Sequence, residues 1–123
     1  MTDKIRLIEK PWGMEEILEK NEKYMLKRLT MKKGYRCSIQ YHNIKKETIY
    51  VLSGSLMVEL NESIDGGYIS TMKKIMLGPG EFLTIEPKMV HRMSAVNEDC
   101  VYLESSTPDE EDVVRIKDDY GRK

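Results

Sequence analysis

The stretch that decides the fold runs from Gln40 to Leu60 and reads QYHNIKKETIYVLSGSLMVEL. Residues i and i+2 of a β-strand project to one face, so Gln40 and His42 are expected to point together. If residues 43–46 reverse the chain, Glu47 begins a return strand almost opposite His42. Cross-strand neighbours lie roughly 5 Å apart. The stretch therefore predicts a hairpin on which a glutamine, a histidine and a glutamate converge.

Short segments rich in apolar and β-branched residues continue on both sides of this stretch. Turn signals separate them, at Ser53-Gly54-Ser55, Asp65-Gly66-Gly67 and Gly78-Pro79-Gly80. Strands are expected at Thr48–Leu52, Leu56–Leu60 and Tyr68–Met72, among others. About ten short strands at close spacing predict an all-β sandwich or barrel. The length of 123 residues predicts a single domain over residues 1–123.

No segment shows a helical stripe longer than two turns. Val113–Ile116 is ambiguous, because its periodicity fits a final strand or a short helix. The acidic run Asp109–Asp112 lacks the glycine and alternation of a calcium-binding loop, and is predicted to be a charged turn.

Composition argues against several classes of partner. The 20 Lys and Arg nearly balance the 21 Asp and Glu, so nucleic acid and anionic membrane surfaces are not expected partners. No apolar run approaches the roughly 20 residues of a membrane span, and no signal-peptide region opens the chain. A cytoplasmic location is therefore expected, in which Cys37 and Cys100 are predicted to be buried thiols rather than a disulfide.

The second histidine of the chain, His91, completes a candidate metal site. With Gln40, His42 and Glu47 it would supply two oxygen and two imidazole ligands and leave positions open for water or substrate. Such ligation suits zinc, manganese, iron(II), nickel or cobalt. Zinc is the first choice because it is a Lewis acid without redox chemistry. The alternative is that both histidines are hydrogen-bonded inside the barrel without a metal.

These motifs resemble those of the cupin superfamily. The glycine-bounded segment from Gly34 to Gly54 resembles the first cupin motif, and the segment from Gly80 through Pro87 to His91 resembles the second. More narrowly, three segments are similar to the C-terminal cupin module of type II mannose-6-phosphate isomerases, which follows a mannose-1-phosphate guanylyltransferase: Lys10–Gly13, Ser38–His42 and Asp112–Arg122.

The resemblance implies a double-stranded β-helix (jelly-roll) barrel with a divalent metal held in its mouth, and it places the four candidate ligands at ligand positions. It also implies isomerisation of a sugar phosphate between aldose and ketose. An anionic substrate calls for basic side chains, and the candidates are Arg115, Lys45 and Arg92. Arg115 belongs to the isomerase-like motif, whereas Arg92 is expected to point away from His91.

Several alternatives stay open at this stage. The group that carries the proton is not evident, and the candidates are Tyr50, Glu59, Glu104 and a metal-bound hydroxide. A non-catalytic carbohydrate- or metabolite-binding cupin and, third, a metal-dependent oxygenase are the competing functions, because fold alone does not decide among them. The closing segment Asp118–Arg122 is a candidate dimer contact, so a homodimer is expected.

Overall fold

The computed structural model describes residues 6–61 and 72–123. These ranges form eleven β-strands and no helix, which confirms the all-β prediction. The strands are β1 Arg6–Lys10, β2 Gly13–Lys20, β3 Met25–Met31, β4 Ile39–Tyr41, β5 Glu47–Ser53, β6 Leu56–Asn61, β7 Lys73–Leu77, β8 Phe82–Ile85, β9 Val90–Ser94, β10 Cys100–Ser106 and β11 Val114–Lys117.

The strands form two antiparallel sheets. One has six strands in the order β1-β2-β3-β10-β5-β8, and the other has five in the order β11-β4-β9-β6-β7. Side chains from both sheets build a common core, which includes Trp12, Leu29, Val51, Val58 and Tyr102. Packing two sheets face to face in this way buries the inward residue of each alternating pair. The arrangement is the expected jelly-roll barrel.

Successive strands change sheets at the positions where hairpins were predicted. Strand β4 belongs to the five-stranded sheet and β5 to the six-stranded sheet, so residues 43–46 carry the chain across the barrel. Glu47 pairs in register with Ile85 of β8 and not with His42. The predicted cross-strand pair of His42 and Glu47 is therefore wrong. Apolar alternation is the same in a hairpin and in strands facing each other across a barrel, so it does not reveal the crossing.

The turn at Ser53-Gly54-Ser55 also crosses between the sheets, from β5 to β6. Gly54 has a φ of +77°, and a Cβ at this position would lie 2.1 Å from the carbonyl oxygen of Asp99. Only glycine tolerates both the left-handed backbone and the close approach.

The ambiguous segment Val113–Ile116 contributes a strand, β11, which pairs with β4. Cys37 and Cys100 are buried free thiols, as predicted. The predicted turn at Asp65-Gly66-Gly67, and all of the predicted strand Tyr68–Met72 except its last residue, lie outside the described residues.

The described ranges contain no helix that is long and apolar enough to cross a membrane.

Candidate metal centre

His42, Glu47 and His91 meet inside the barrel. Nε2 of His42 lies 3.3 Å from Oε1 of Glu47, and Nε2 of His91 lies 3.2 Å from the same oxygen. All three residues are buried, and His91 has no exposed surface at all. The three side chains therefore converge as predicted, but they do so from the two sheets and not along one hairpin.

Each imidazole ring is held by its Nδ1 atom. Nδ1 of His42 lies 2.5 Å from the backbone oxygen of Asp112, and Nδ1 of His91 lies 2.9 Å from that of Met89. A carbonyl oxygen can only accept a hydrogen bond, so each Nδ1 carries a proton and donates it. In the neutral ring Nε2 then presents a lone pair. Metal-binding histidines in proteins are oriented in this way.

Nε2 of His42, Nε2 of His91 and Oε1 of Glu47 are buried atoms without a hydrogen-bond partner in the part of the chain that the structure describes. Each is an electron-pair donor, and the ligand atoms of the three residues lie within 4.8 Å of one another. A buried acceptor without a partner is costly, and three that face one another are more so. A divalent cation between them would satisfy all three, and their nitrogen and oxygen chemistry fits a first-row metal.

Gln40 lies beside this cluster. It pairs in register with His91, and its side chain lines the same cavity as His42 and Glu47. Its Oε1 atom accepts a hydrogen bond of 2.6 Å from the hydroxyl of Ser38. One lone pair of that oxygen is left over, and a role for Gln40 as a fourth ligand stays a prediction.

A buried lysine adjoins the cluster. Nζ of Lys45 lies 3.6 Å from Oε2 of Glu47 and 3.2 Å from Oε2 of Glu104. Burial favours the neutral lysine, but the two carboxylates outweigh it and hold the pKa of Lys45 well above its ordinary value. Burial likewise raises the pKa of Glu47, yet the positive charge of Lys45 beside it favours the carboxylate, and the pKa of Glu47 lies well below its ordinary value. Glu47 is therefore an anion and Lys45 a cation.

Glu104 is a second carboxyl group inside the barrel. Burial and the negative charge of Glu47 raise the pKa of Glu104 to about 7, against the opposing effect of Lys45 and Lys27. Lys27 in turn pairs with Glu15, with Nζ 2.5 Å from Oε1. Neither Lys27 nor Glu15 was predicted from the sequence to lie at the site. The available signal was a charged residue at an inward position of the alternating strand β3.

Two of the three predicted substrate-binding residues line the cavity. Lys45 does so while paired with its two carboxylates, and Arg115 projects there from β11. Nη1 of Arg115 donates to the backbone oxygen of Lys123 at 2.7 Å, whereas its buried Nε has no hydrogen-bond partner within residues 6–61 and 72–123. Arg92 is not brought to the cavity, because it points away from its neighbour His91. Its Nε donates to the backbone oxygen of Cys37 at 2.9 Å.

The candidate proton carriers lie in different parts of the barrel, and only some of them could reach a substrate in the cavity. Tyr50 is 41% exposed, on the outer side of β5, and Glu59 lies on the outer side of β6. Glu104 alone among the three named side chains lines the cavity.

The closing segment packs onto its own barrel. Asp118 accepts hydrogen bonds from Arg122, and the Tyr120 hydroxyl donates to the backbone oxygen of Arg36 at 2.8 Å. A dimer contact through this segment stays a prediction.

Relatives of this chain include a mannose-1-phosphate guanylyltransferase and a xanthan biosynthesis protein. The chain is 30% identical over 121 residues to the mannose-1-phosphate guanylyltransferase ManC of Salmonella typhimurium, covering 95% of this chain and 23% of that protein. It is 26% identical over 121 residues to the xanthan biosynthesis protein XanB of Xanthomonas campestris, covering 95% and 24%. The chain thus spans about a quarter of the length of these curated relatives.

Solved structures establish the fold, and a family profile establishes the family. The capsular polysaccharide assembling protein CapF of Staphylococcus aureus superposes with a TM-score of 0.79 at 14% identity, covering 94% of this chain and 32% of that chain. Oxalate decarboxylase of Bacillus subtilis, a protein with Mn(II) centres, superposes with a TM-score of 0.73 at 19% identity, covering 89% and 29%. Both likenesses show the double-stranded β-helix fold of the cupins. The profile described as "Mannose-6-phosphate isomerase C-terminal" matches residues 2–118, and the chain belongs to that family.

Proposed function

We propose that this chain is a metal-dependent isomerase that interconverts an aldose phosphate and a ketose phosphate of the mannose 6-phosphate type. The observation that carries the proposal is a buried set of three electron-pair donor atoms, Nε2 of His42, Oε1 of Glu47 and Nε2 of His91, that have no hydrogen-bond partner among the described residues. They lie beside a cavity lined by five basic and four acidic side chains. Family membership supports the same reaction class.

His42, Glu47 and His91 would hold the ion, with Gln40 as the proposed fourth ligand. When bound, a divalent ion supplies Lewis-acid stabilisation of the negative charge that develops on a carbonyl oxygen during isomerisation. Zinc remains the first choice, and manganese, iron(II), nickel and cobalt suit the same ligands.

The charge of the cavity favours an anionic substrate. Its lining contains five basic side chains, which are Lys10, Lys27, Lys45, Arg115 and Arg122, and four acidic ones, which are Glu15, Glu47, Glu104 and Glu110. The lining side chains carry a net charge of about +1, and a bound divalent ion would raise the net charge of the cavity to about +3. A phosphate group would therefore be drawn to the cavity and would find charge-assisted hydrogen-bond donors there.

Arg115 is the proposed phosphate contact, because its buried Nε has no other partner. Arg115→Ala is expected to raise the dissociation constant for mannose 6-phosphate by about 10-fold or more, since a hydrogen bond to a charged group contributes about 1.5–3 kcal/mol. Calorimetric titration measures the change. Binding of unphosphorylated mannose should not change. Arg28→Ala, on the outer side of β3, is the matched control. An equal loss for both sugars would contradict the assignment.

Glu104 is the proposed proton carrier. Aldose–ketose isomerisation moves a proton between two adjacent carbons, so a group beside the substrate must accept and return it. Glu104 lies in the cavity, and Lys45 holds one of its oxygens at 3.2 Å. A carboxyl group whose pKa is raised to about 7 exists in both protonation states near neutral pH, as this role requires.

Glu104→Gln is expected to lower the isomerisation rate by at least about 100-fold, because removal of a general base typically costs that much. The metal content should stay at the wild-type level, since Glu104 is not a proposed ligand. Rate measurements with metal analysis on the same preparation check both statements. Glu59→Gln, on the outer side of β6, is the control. A variant that isomerises at the wild-type rate would remove Glu104 from the mechanism.

Hydrogen exchange tests the function as a whole. The protein, reconstituted with each candidate metal, is incubated with mannose 6-phosphate or fructose 6-phosphate in heavy water. Deuterium is expected at C2 of the aldose with wild-type protein and not with His42→Ala. Sugar binding without exchange, for every metal, would refute isomerisation and favour the non-catalytic carbohydrate-binding alternative.

A further inference from the structure

One acidic residue holds the first three residues of the loop between two proposed metal ligands. The loop, residues 43–46, joins His42 to Glu47 as it crosses from one sheet to the other. The carboxylate of Asp112 accepts hydrogen bonds from the backbone N–H groups of Asn43, Ile44 and Lys45, at 3.0, 2.8 and 2.9 Å. Three successive N–H groups around one anion form a backbone nest.

The same residue also contacts a proposed ligand directly. The backbone oxygen of Asp112 accepts the hydrogen bond from Nδ1 of His42. The side chain thus anchors the start of the loop, and the main chain fixes the tautomer of the ring that precedes it. Because Lys45 is one of the anchored residues, its contacts with Glu47 and Glu104 depend on the same anchor.

His91 is held by a different backbone carbonyl group. Its Nδ1 donates to the backbone oxygen of Met89. Lys88, which precedes Met89, adopts a left-handed backbone with a φ of 70° and donates its N–H to the backbone oxygen of His42 at 2.6 Å. Asp112 makes none of these contacts, so its substitution removes a partner of His42 and no direct partner of His91.

We propose that Asp112 is a positioning residue of the metal centre: its carboxylate clamps the loop that follows His42, and this holds the backbone oxygen of Asp112 against Nδ1 of His42, which sets the orientation and tautomer of that ring. The proposal rests on the proposed metal site and adds a residue to it. Asp112 would not contact the metal or the substrate. Residues that hydrogen-bond to metal-bound histidines affect metal affinity without binding the metal themselves, and Asp112 would act in this way.

The consequence is measurable in metal affinity. Asp112→Ala is expected to weaken binding of Zn²⁺ by about 10- to 100-fold, the usual effect of losing an outer partner of a ligand. Asp112→Asn keeps one acceptor oxygen and is expected to lose less. Glu111→Ala is the matched control, because Glu111 is an exposed residue of the same acidic turn. Zn²⁺ affinity is measured by competition with a chromophoric chelator on the full chain.

A second measurement separates positioning from general destabilisation. Long-range ¹H–¹⁵N spectra of the metal-free protein report the tautomer of each imidazole ring. Wild-type protein is expected to show Nδ1–H for both histidines. Asp112→Ala should give mixed tautomers for His42 and leave His91 unchanged, whereas a loosened fold would alter both rings.

The outcomes distinguish this proposal from the metal site on which it rests. Wild-type affinity together with an unchanged His42 tautomer in Asp112→Ala would overturn the positioning role and leave the metal centre intact. If wild-type protein itself binds no metal, the metal centre fails, and the His42 spectra still decide whether Asp112 orients that ring. If Asp112→Ala does not fold, Asp112→Asn provides the same two readouts.

Discussion

Glu47→Gln is expected to abolish metal binding and isomerisation together. The substitution preserves shape but replaces the anion that faces both histidines with a neutral amide, a much weaker ligand. The loss of Zn²⁺ affinity should exceed the roughly 100-fold that removal of an outer partner costs. Competition titration measures the affinity, and deuterium incorporation at C2 of the aldose measures the activity.

The stability of this variant helps to interpret the result. The new amide group can donate to the lone pair on Nε2 of His42 or His91, which lack a partner in the metal-free protein. Unfolding of the metal-free variant should therefore need as much denaturant as the wild type, which excludes misfolding as the cause. Glu59→Gln, on the outer side of β6, is the matched control and should bind metal normally. Retention of wild-type metal affinity by Glu47→Gln would contradict the proposed centre.

Lys45→Met is expected to destabilise the metal-free protein by about 3–5 kcal/mol. Removing one member of a buried ionic group leaves the remaining charges uncompensated, and that is the usual cost. Here the carboxylates of Glu47 and Glu104 would lose the ammonium between them. Urea unfolding in the presence of a chelator measures the free energy of unfolding.

The neighbouring lysine provides the control. Lys46 pairs with Glu86 at 3.4 Å, but both side chains are more than half exposed. Lys46→Met should change the free energy of unfolding by less than about 0.5 kcal/mol, as is usual for surface positions. Added Zn²⁺ should restore part of the stability lost in Lys45→Met, because the ion would compensate Glu47. Similar stabilities of the two variants would show that the buried network does not depend on Lys45.

The sequence predicted the fold class because the apolar alternation of the strands is a local property. It could not predict the sheet changes at residues 43–46 and at Gly54, because crossing the barrel leaves that alternation unaltered. The sequence did not predict the inward position of Lys27, and it offered Glu104 only as one of several candidate proton carriers; the barrel interior holds both residues in ion pairs.

The candidate site was only partly accessible from sequence. Spacing and family resemblance identified His42, Glu47 and His91 as candidate ligands. In the structure these three side chains meet inside the barrel. Asp112 was interpreted as part of a charged turn, because its partners lie about 70 residues earlier in the chain. Contacts over such separations arise from the folded topology, and no local pattern of residues encodes them.

The most direct measurement is an anomalous difference map from crystals of the chain grown with Zn²⁺, collected at the zinc absorption edge. One strong peak is expected per chain, within bonding distance of Nε2 of His42, Oε1 of Glu47 and Nε2 of His91. A map without a peak at this position, from protein shown to be exposed to excess Zn²⁺, would contradict the proposed metal centre.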